Sequence, residues 1–267
     1  MNRLLILIFI FSFFGCGNKL GTDSNGLISQ SPSGEPLPEV FSPADLSGIS
    51  VWLDISDSST LHTNTSCNSQ ASNSQRISCV QDKSGNANHA TASGLDRPTL
   101  SGRVLQFIGD ASATNTGNCL DLSSFSGQTI IMVVDNAVKS GDGFHGLLGS
   151  NNNSQYMFIS TNKGYLVSFD GTTGARGRVA LNDNIYNAYN GNNGGPTNFE
   201  SGLTLLSAEY ENPHSNWQNI GCFNHSSGAK TYRANYDLLE IIIYDRVLTD
   251  EEHSEIKTYL NNKWSIY

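Results

Sequence analysis

Residues Leu238-Leu239-Glu240-Ile241-Ile242-Ile243-Tyr244-Asp245-Arg246-Val247-Leu248-Thr249, continuing as DEEHSEIKTYLNNKWSIY from Asp250 to Tyr267, decide how this chain is read. The run from Leu238 to Tyr244 is the most apolar of the chain after its first few residues, and only Glu240 interrupts it. It is β-branched and too short to cross a bilayer, so it reads as a strand buried on both faces. Asp245-Arg246 breaks the run, and a helix signature follows. Thr249 is an N-cap with Glu252 three residues on, which makes a capping box, and Asp250 and Glu251 suit the positive end of the helix dipole. Ile256, Leu260 and Trp264 are four residues apart and line one face. A central strand therefore feeds an amphipathic helix, and the helix must dock on a sheet built by the rest of the chain.

The amino-terminal residues stand outside that fold. Met1-Asn2-Arg3 is a short positive start, Leu4 to Phe14 is almost wholly apolar, and Gly15-Cys16 follows. This is the pattern of a secretory signal, and the apolar run is short of a stable membrane span. Phe13-Phe14-Gly15-Cys16 resembles a bacterial lipoprotein signal, which implies that residues 1–15 are removed and that Cys16 carries lipid. It departs from the pattern in its bulky Phe13-Phe14. The alternative is an ordinary cleaved signal followed by an unmodified Cys. Residues 17–44 are rich in Gly, Ser, Asn and Pro and read as a tether. A coil of this length reaches roughly 30 Å, enough to hold a domain clear of lipid headgroups. The expected localisation is therefore export to the outer membrane or cell surface, with the bilayer as a partner through Cys16.

Residues 45–267 are enough for one all-β domain with a sizeable core. Charged residues make up 15% of the chain, against 26 Gly and many Asn and Ser. That balance fits an extracellular β-rich fold better than a helical one. A net charge of −9 argues against nucleic acid and against electrostatic membrane binding by the domain itself. With Cys16 set aside, four cysteines remain, an even number that predicts two disulfides in an exported chain. Three pairings are open. The preferred one is Cys67–Cys79, closing a local polar loop, with Cys119–Cys222 joining an early strand to a late one. A zinc site is the rival, but no pair has CxxC spacing.

Along the domain, alternating Ile49, Val51 and Leu53 mark a first strand ending at Asp54. Residues 61–78 are an Asn/Ser-rich excursion, and Gln81 to Ala90 is a tight polar turn. Further strands are expected at Val104–Phe107, Cys119–Leu122, Gln128–Asp135, Gly146–Gly149, Gln155–Ser160, Gly164–Phe169, Val179–Leu181, Leu203–Tyr210 and Asn219–Phe223. Asn182 to Phe199 and Asn212 to Asn219 read as loops. Short strands at close spacing point to a sandwich or barrel.

Several of these segments carry a family likeness. Trp52-Leu53-Asp54 with Ser56-Asp57, Asp82-Lys83-Ser84-Gly85-Asn86-Ala87-Asn88-His89-Ala90, Arg97-Pro98-Thr99 and Glu240-Ile241-Ile242-Ile243-Tyr244-Asp245-Arg246 with Leu248-Thr249 resemble the laminin-G-like, concanavalin-A-like lectin/glucanase domains of bacterial surface proteins. The closing Lys263-Trp264-Ser265-Ile266 after the capped helix is the most specific part. The resemblance covers about Leu46 to Tyr267. It implies a jelly-roll sandwich of two antiparallel sheets with a short C-terminal helix, and a module that binds glycan or protein, often with calcium, and less often a glycosidase. The fold alone does not fix the function.

Candidate chemistry follows from the residue types. A glucanase of this fold needs carboxylates alternating on one strand. Glu209-Tyr210-Glu211 comes nearest, without a further acid, and reads as a solvated edge. Glu240, alone in an apolar strand, must be paired, and Arg97, Arg103 and Arg246 are the expected partners. His89 is expected to hydrogen-bond the turn before it, and Asp82 and Asn86 to make Asx-type bonds to their own backbone. There is no GxSxG context for a nucleophilic Ser and no HxxxH spacing for a transition metal. Calcium prefers carboxylate and carbonyl oxygens in loops, and Asp54, Asp57, Asp121, Asp170 and Asp183 are placed at strand ends or loops. Of these, Asp121, Asp170 and Asp183 are the candidate ligands; no other cofactor is indicated. Sugar binding needs exposed aromatic faces with amides and carboxylates, for which Tyr186, Tyr189, Asn190, Asn192 and Trp217 are the candidates. Trp52 and Trp264 are assigned to the core. The first functional expectation is a non-catalytic surface lipoprotein binding glycan or a surface protein through loops and the concave face. A carbohydrate-active hydrolase or lyase and a structural envelope or adhesion subunit are the alternatives.

Overall fold

A computed structural model describes residues 41–109, 117–137, 144–150, 156–160, 165–169, 178–182, 184–187, 202–222 and 233–267. They belong to a compact unit spanning Phe41–Tyr267. The strands in chain order are β1 (Ile49–Asp54), β2 (Leu61–His62), β3 (Cys79–Val80), β4 (Ala90–Thr91), β5 (Thr99–Ser101), β6 (Val104–Phe107), β7 (Leu120–Asp135), β8 (Phe144–Gly149), β9 (Tyr156–Ser160), β10 (Tyr165–Phe169), β11 (Arg178–Leu181), β12 (Asn184–Asn187), β13 (Thr204–Ile220) and β14 (Tyr236–Tyr244). One helix, α1 (Asp250–Trp264), follows. The fold is all-β, an antiparallel sheet curled on itself, with one C-terminal helix.

β14 is central, as its apolar run predicts. One edge pairs with β7 from Asp237 to Tyr244. The other pairs with β6 at Tyr236–Leu238 and with β1 at Glu240–Tyr244, so its backbone groups are satisfied on both sides. Both faces are buried. Ile241 and Ile243 join Val51, Leu53, Ile130, Met132 and Val134 in a core inside the curl. Ile242 and Tyr244 point the other way, with Trp52, Ile131, Val133 and Leu205, against Ile256 and Leu260 of α1. The period of two along β1, β7, β13 and β14 thus feeds two cores rather than a core and solvent.

β7 and β13 are the frame. They are 16 and 17 residues long and pair with each other along their length, from Leu120↔Ile220 to Val134↔Thr204. Sequence reading divides each into two strands with a loop between. The bridging segments, Ser123-Ser124-Phe125-Ser126-Gly127 and Glu211-Asn212-Pro213-His214-Ser215-Asn216, are rich in turn formers and lack alternation. They remain strand because each pairs with the other, and the mismatch is taken up by register shifts between Glu209 and His214, Ser215 and Trp217, and Trp217 and Asn219. The irregular stretch lies where the strands pass from one set of neighbours to another. The late half of β7 lies beside β14, and its early half meets β4 at Asp121. The early half of β13 pairs with β11, and its end pairs with β8.

Both expected disulfides are present, Cys67–Cys79 and Cys119–Cys222, each with a Cα–Cα distance of 5.5 Å. The helix begins as its sequence prescribes: the Thr249 hydroxyl accepts from the Glu252 N–H, and the Glu252 carboxylate accepts from the Thr249 N–H. Ser265 ends it in the left-handed region at φ 55°. The fold starts slightly ahead of the expected boundary at residue 45. Tyr244 donates its hydroxyl to the Pro43 carbonyl at 2.9 Å, and Phe41 meets Tyr259 edge-on. Among the described residues no helix is long and apolar enough to cross a membrane.

Arg246 grips the start of α1 with both terminal nitrogens, at 2.7 and 2.6 Å from the Glu252 oxygens. Hydrogen bonds from Arg246 and from the Thr249 N–H hold the Glu252 carboxyl down at about 2, against an ordinary 4.5. A folded-state value below the unfolded one stabilises the fold above the unfolded value, and that stabilisation fades as pH falls through the folded one. Glu252→Gln is therefore expected to melt lower than the wild type at pH 7. The gap should close as pH falls from about 4.5 toward 2. Melting curves taken across that range test this, and a gap independent of pH would refute it.

Candidate functional site

Among the described residues, a dense polar cluster lies where β1, β14 and α1 meet. Glu240 is fully buried, and four donors converge on its carboxylate. These are Trp52 Nε1 at 2.8 Å, Tyr259 Oη at 2.9 Å, Lys263 Nζ at 2.7 Å and Trp264 Nε1 at 2.7 Å. Tyr259 and Lys263 are one turn apart on α1, so one face of the helix presents both. Burial, followed by the charge of Glu240, keeps the Tyr259 phenol protonated well above its ordinary range.

Lys263 also reaches Asp54 Oδ1 at 2.7 Å. Asp54 Oδ2 receives Lys83 Nζ at 3.1 Å, and Lys83 reaches Asp57 at 2.9 Å. Burial works against the Asp54 charge. Hydrogen bonds from Lys263 and Ser56 and the charge of Lys83 outweigh it and hold the carboxyl below its ordinary range. Asp57 is lowered by Ser59 and Lys83, and Lys83 in turn is raised by both carboxylates despite its burial. Lys83 lies over the Trp52 ring at 4.6 Å, and Lys263 over the Trp264 ring at 5.1 Å. The expected guanidinium partners of Glu240 are not used. Arg246 is engaged with Glu252, and Arg103 stacks on Trp264 at 4.7 Å. The Arg97 Nε donates to the Gly94 carbonyl.

The Asp82 turn is pinned to β1. Its carboxylate accepts from the backbone N–H of Trp52, Ser84 and Asn88, and the Asp82 N–H donates to His89 Nδ1 at 3.1 Å. His89 thus serves the turn, as expected. Asn86 differs: its amide donates to the Ile49 carbonyl at 2.7 Å and to Ser84 Oγ at 3.1 Å rather than to the backbone of its own turn. Glu209, read as a solvated edge, is buried because α1 lies over that strand, and His253 of the helix pairs with its carboxylate.

A second site comes from register alone. Leu61, Val80 and Ala90 face each other on three neighbouring strands, Leu120, Ile220 and Leu148 do so on three more, and all belong to the inner core. The next residue along each strand must face away from that core. This row runs His62, Cys79, Thr91, Asp121, Asn219 and Gly149. The Cys67–Cys79 bridge and the buried His62 lie at one end, and Asn219 lies beside Cys119 at the other. Between them Thr91 and Asp121 are half-buried, and Ser123 is exposed. Neither ring nitrogen of His62 has a partner among the described residues.

The predicted binding residues divide. Trp217 is not an exposed stacking platform. It is fully buried, tilted against Tyr210 at 5.5 Å, and fills the space that Gly127 leaves on β7. Tyr186 stands on β12, opposite Val179. Tyr189, Asn190 and Asn192 lie outside the described residues, as do Asp170, Asp183 and Cys16. Of the acids considered for calcium, Asp54 and Asp57 are held by lysines, and Asp121 occupies the outward row. Among the described residues no three His, Cys, Asp or Glu side chains gather as a metal site. A comparison with protein-family models finds no match, and a search of curated proteins finds none either.

Trp264→Phe keeps a ring over Lys263 but deletes one of the four donors to Glu240. A buried charge left one hydrogen bond short should lose about 1–3 kcal/mol of stability. Trp264→Ala should lose more, because the ring packing goes as well. Urea denaturation measures both, and a Phe variant as stable as the wild type would show that the indole N–H does not serve Glu240.

Proposed function

We propose that this chain is an exported, lipid-anchored binding protein whose curled sheet is a concanavalin-A-like jelly roll with a non-catalytic ligand face. The observation that carries the reading is the pair Thr91 and Asp121, opposite each other on neighbouring strands and both partly exposed, while Asn219, next in register, is fully buried. A hydroxyl and a carboxylate side by side are groups that exchange hydrogen bonds with sugar hydroxyls. Tyr186 on β12, with Tyr189, Asn190 and Asn192 beyond the described residues, are the candidates for stacking and further amide contacts. The half of the sheet beneath α1 is closed to ligands by its own apolar contacts.

The non-catalytic part of the reading is supported by the state of the acids. Glycosidases need two carboxyl groups about 5–9.5 Å apart that address one bond. Asp54, Asp57, Glu209, Glu240 and Glu252 are each engaged by a Lys, His or Arg of the protein. Two disulfides fit an oxidising compartment outside the cytoplasm. The Gly/Ser/Asn/Pro-rich residues 17–40 fit a tether between Cys16 and the domain.

A glycan array probed with the wild type and with Asp121→Ala tests the ligand face. A defined subset of glycans should bind, and the variant should weaken that binding about tenfold or more, since a hydrogen bond to a charged group contributes about 1.5–3 kcal/mol. Undiminished binding by the variant would refute the assignment of this row, and release of reducing sugar would refute the non-catalytic reading. Separately, cells fed a palmitate analogue should label the wild-type chain and not Cys16→Ala. Equal labelling of the two would remove the anchor.

A further inference from the structure

We propose that Lys263 and Asp54 condense in the folded protein to an intramolecular isopeptide bond, with Glu240 as the proton relay. Lys263 Nζ lies 2.7 Å from Asp54 Oδ1 and 2.7 Å from Glu240 Oε2. A nitrogen at that distance from a carboxyl oxygen is roughly 3.5 Å from its carbon, the outer range of a near-attack geometry. The three side chains are 16%, 7% and 0% exposed. The indoles of Trp52 and Trp264 and the phenol of Tyr259 surround them. Condensation releases water, and a site that excludes water favours it; fixed orientation replaces an intermolecular encounter by an effective concentration on the order of 10⁵–10⁸ M.

The step balances within the cluster. The Lys263 ammonium gives one proton to the Glu240 carboxylate, and the amine lone pair attacks Asp54 Cγ to form the C–N bond. Negative charge collects on Asp54 Oδ2, where Lys83 Nζ stands at 3.1 Å to stabilise it. A second proton from the nitrogen and the one held by Glu240 pass to Oδ1. The Cγ–Oδ1 bond breaks, and Oδ1 leaves as water. Glu240 returns to its starting state, and an ammonium and a carboxylate have become an amide and one water, with no oxidant, reductant or other reagent. In the product Glu240 exchanges an ammonium partner for neutral hydrogen-bond donors. The amide N–H stays beside Glu240, which keeps Trp52, Tyr259 and Trp264 as donors, and Lys83 keeps Asp57. The bond would tie β1 to α1, closing the two ends of the domain on each other.

Peptide mapping of the full chain decides the matter. After reduction and denaturation, trypsin should fail to cut after Lys263. A branched peptide carrying both Asp54 and Lys263 should appear, lighter by one water than the sum of its two linear parts. Lys263→Arg keeps the positive charge and should give only linear peptides, cut after position 263. Glu240→Gln should reduce the linked fraction severalfold or abolish it. Complete cleavage after Lys263 in the wild type, with the Asp54 peptide at its full linear mass, would overturn the proposal. A Glu240→Gln chain linked as fully as the wild type would overturn the role of Glu240.

Discussion

The fold depends on one buried carboxylate. Glu240 sits in the middle of the most apolar strand of the domain, and desolvating a charge there is unfavourable by several kcal/mol. The cost is met by four donors from three elements: Trp52 on β1, and Tyr259, Lys263 and Trp264 on α1, around an acceptor on β14. No donor set of this kind can form until the first strand and the last helix of the domain have both reached β14. The interaction therefore couples the ends of the domain to its centre. Charge continues outward from it through Lys263 to Asp54, Lys83 and Asp57, from full burial to partial exposure.

Around that point the architecture is set by two long strands. β7 and β13 remain paired through segments of Ser, Gly, Asn and Pro that isolated strands avoid. The bulges there increase local twist and let the same two strands serve both halves of the curl. One half carries the helix on its outer face, and the other turns a polar row outward. The sheet thus separates an outer surface packed by the helix from one on which Thr91, Asp121 and Ser123 keep some exposure.

Legibility followed the range of each signal. The β14 run, the Thr249–Glu252 cap, the Ile256–Leu260–Trp264 face, the Asp82 turn and its His89 contact are written in neighbouring residues, and the structure has them. Both disulfides are also as expected, since one closes a local loop and the other uses the two cysteines that remain. The long strands were not legible, because their pairing overrides poor local patterning. Trp217 reads as a surface residue from its polar neighbours, yet Gly127, ninety residues away, opens the space that receives it. The outward row could not be read either, since it needs the register of several strands. The partner of Glu240 was misread for a related reason: the helix face was legible, but not which strand residue it would meet, so a guanidinium was expected where an ammonium, a phenol and two indoles stand.

Why keep a carboxylate in such a strand, when a leucine would avoid the desolvation? Register gives a physical answer. Ile241, Ile242 and Ile243 are nearly interchangeable in size, and an apolar strand between two apolar cores would lose little by slipping one residue, although that slip exchanges its faces. Glu240 removes the degeneracy. In the observed register a shift between Leu238 and Glu240 lets both Leu239 and Glu240 face the helix, while Leu238 and Ile241 face the inner core. A one-residue slip would carry the carboxylate among Leu53, Met132 and Ile130, where the surrounding side chains offer no donor. An unpaired buried charge is worse by several kcal/mol than the paired one, so the alternative pairing is excluded by a larger margin than methyl packing could supply. The single polar residue in the strand is thus what makes its apolar neighbours specific.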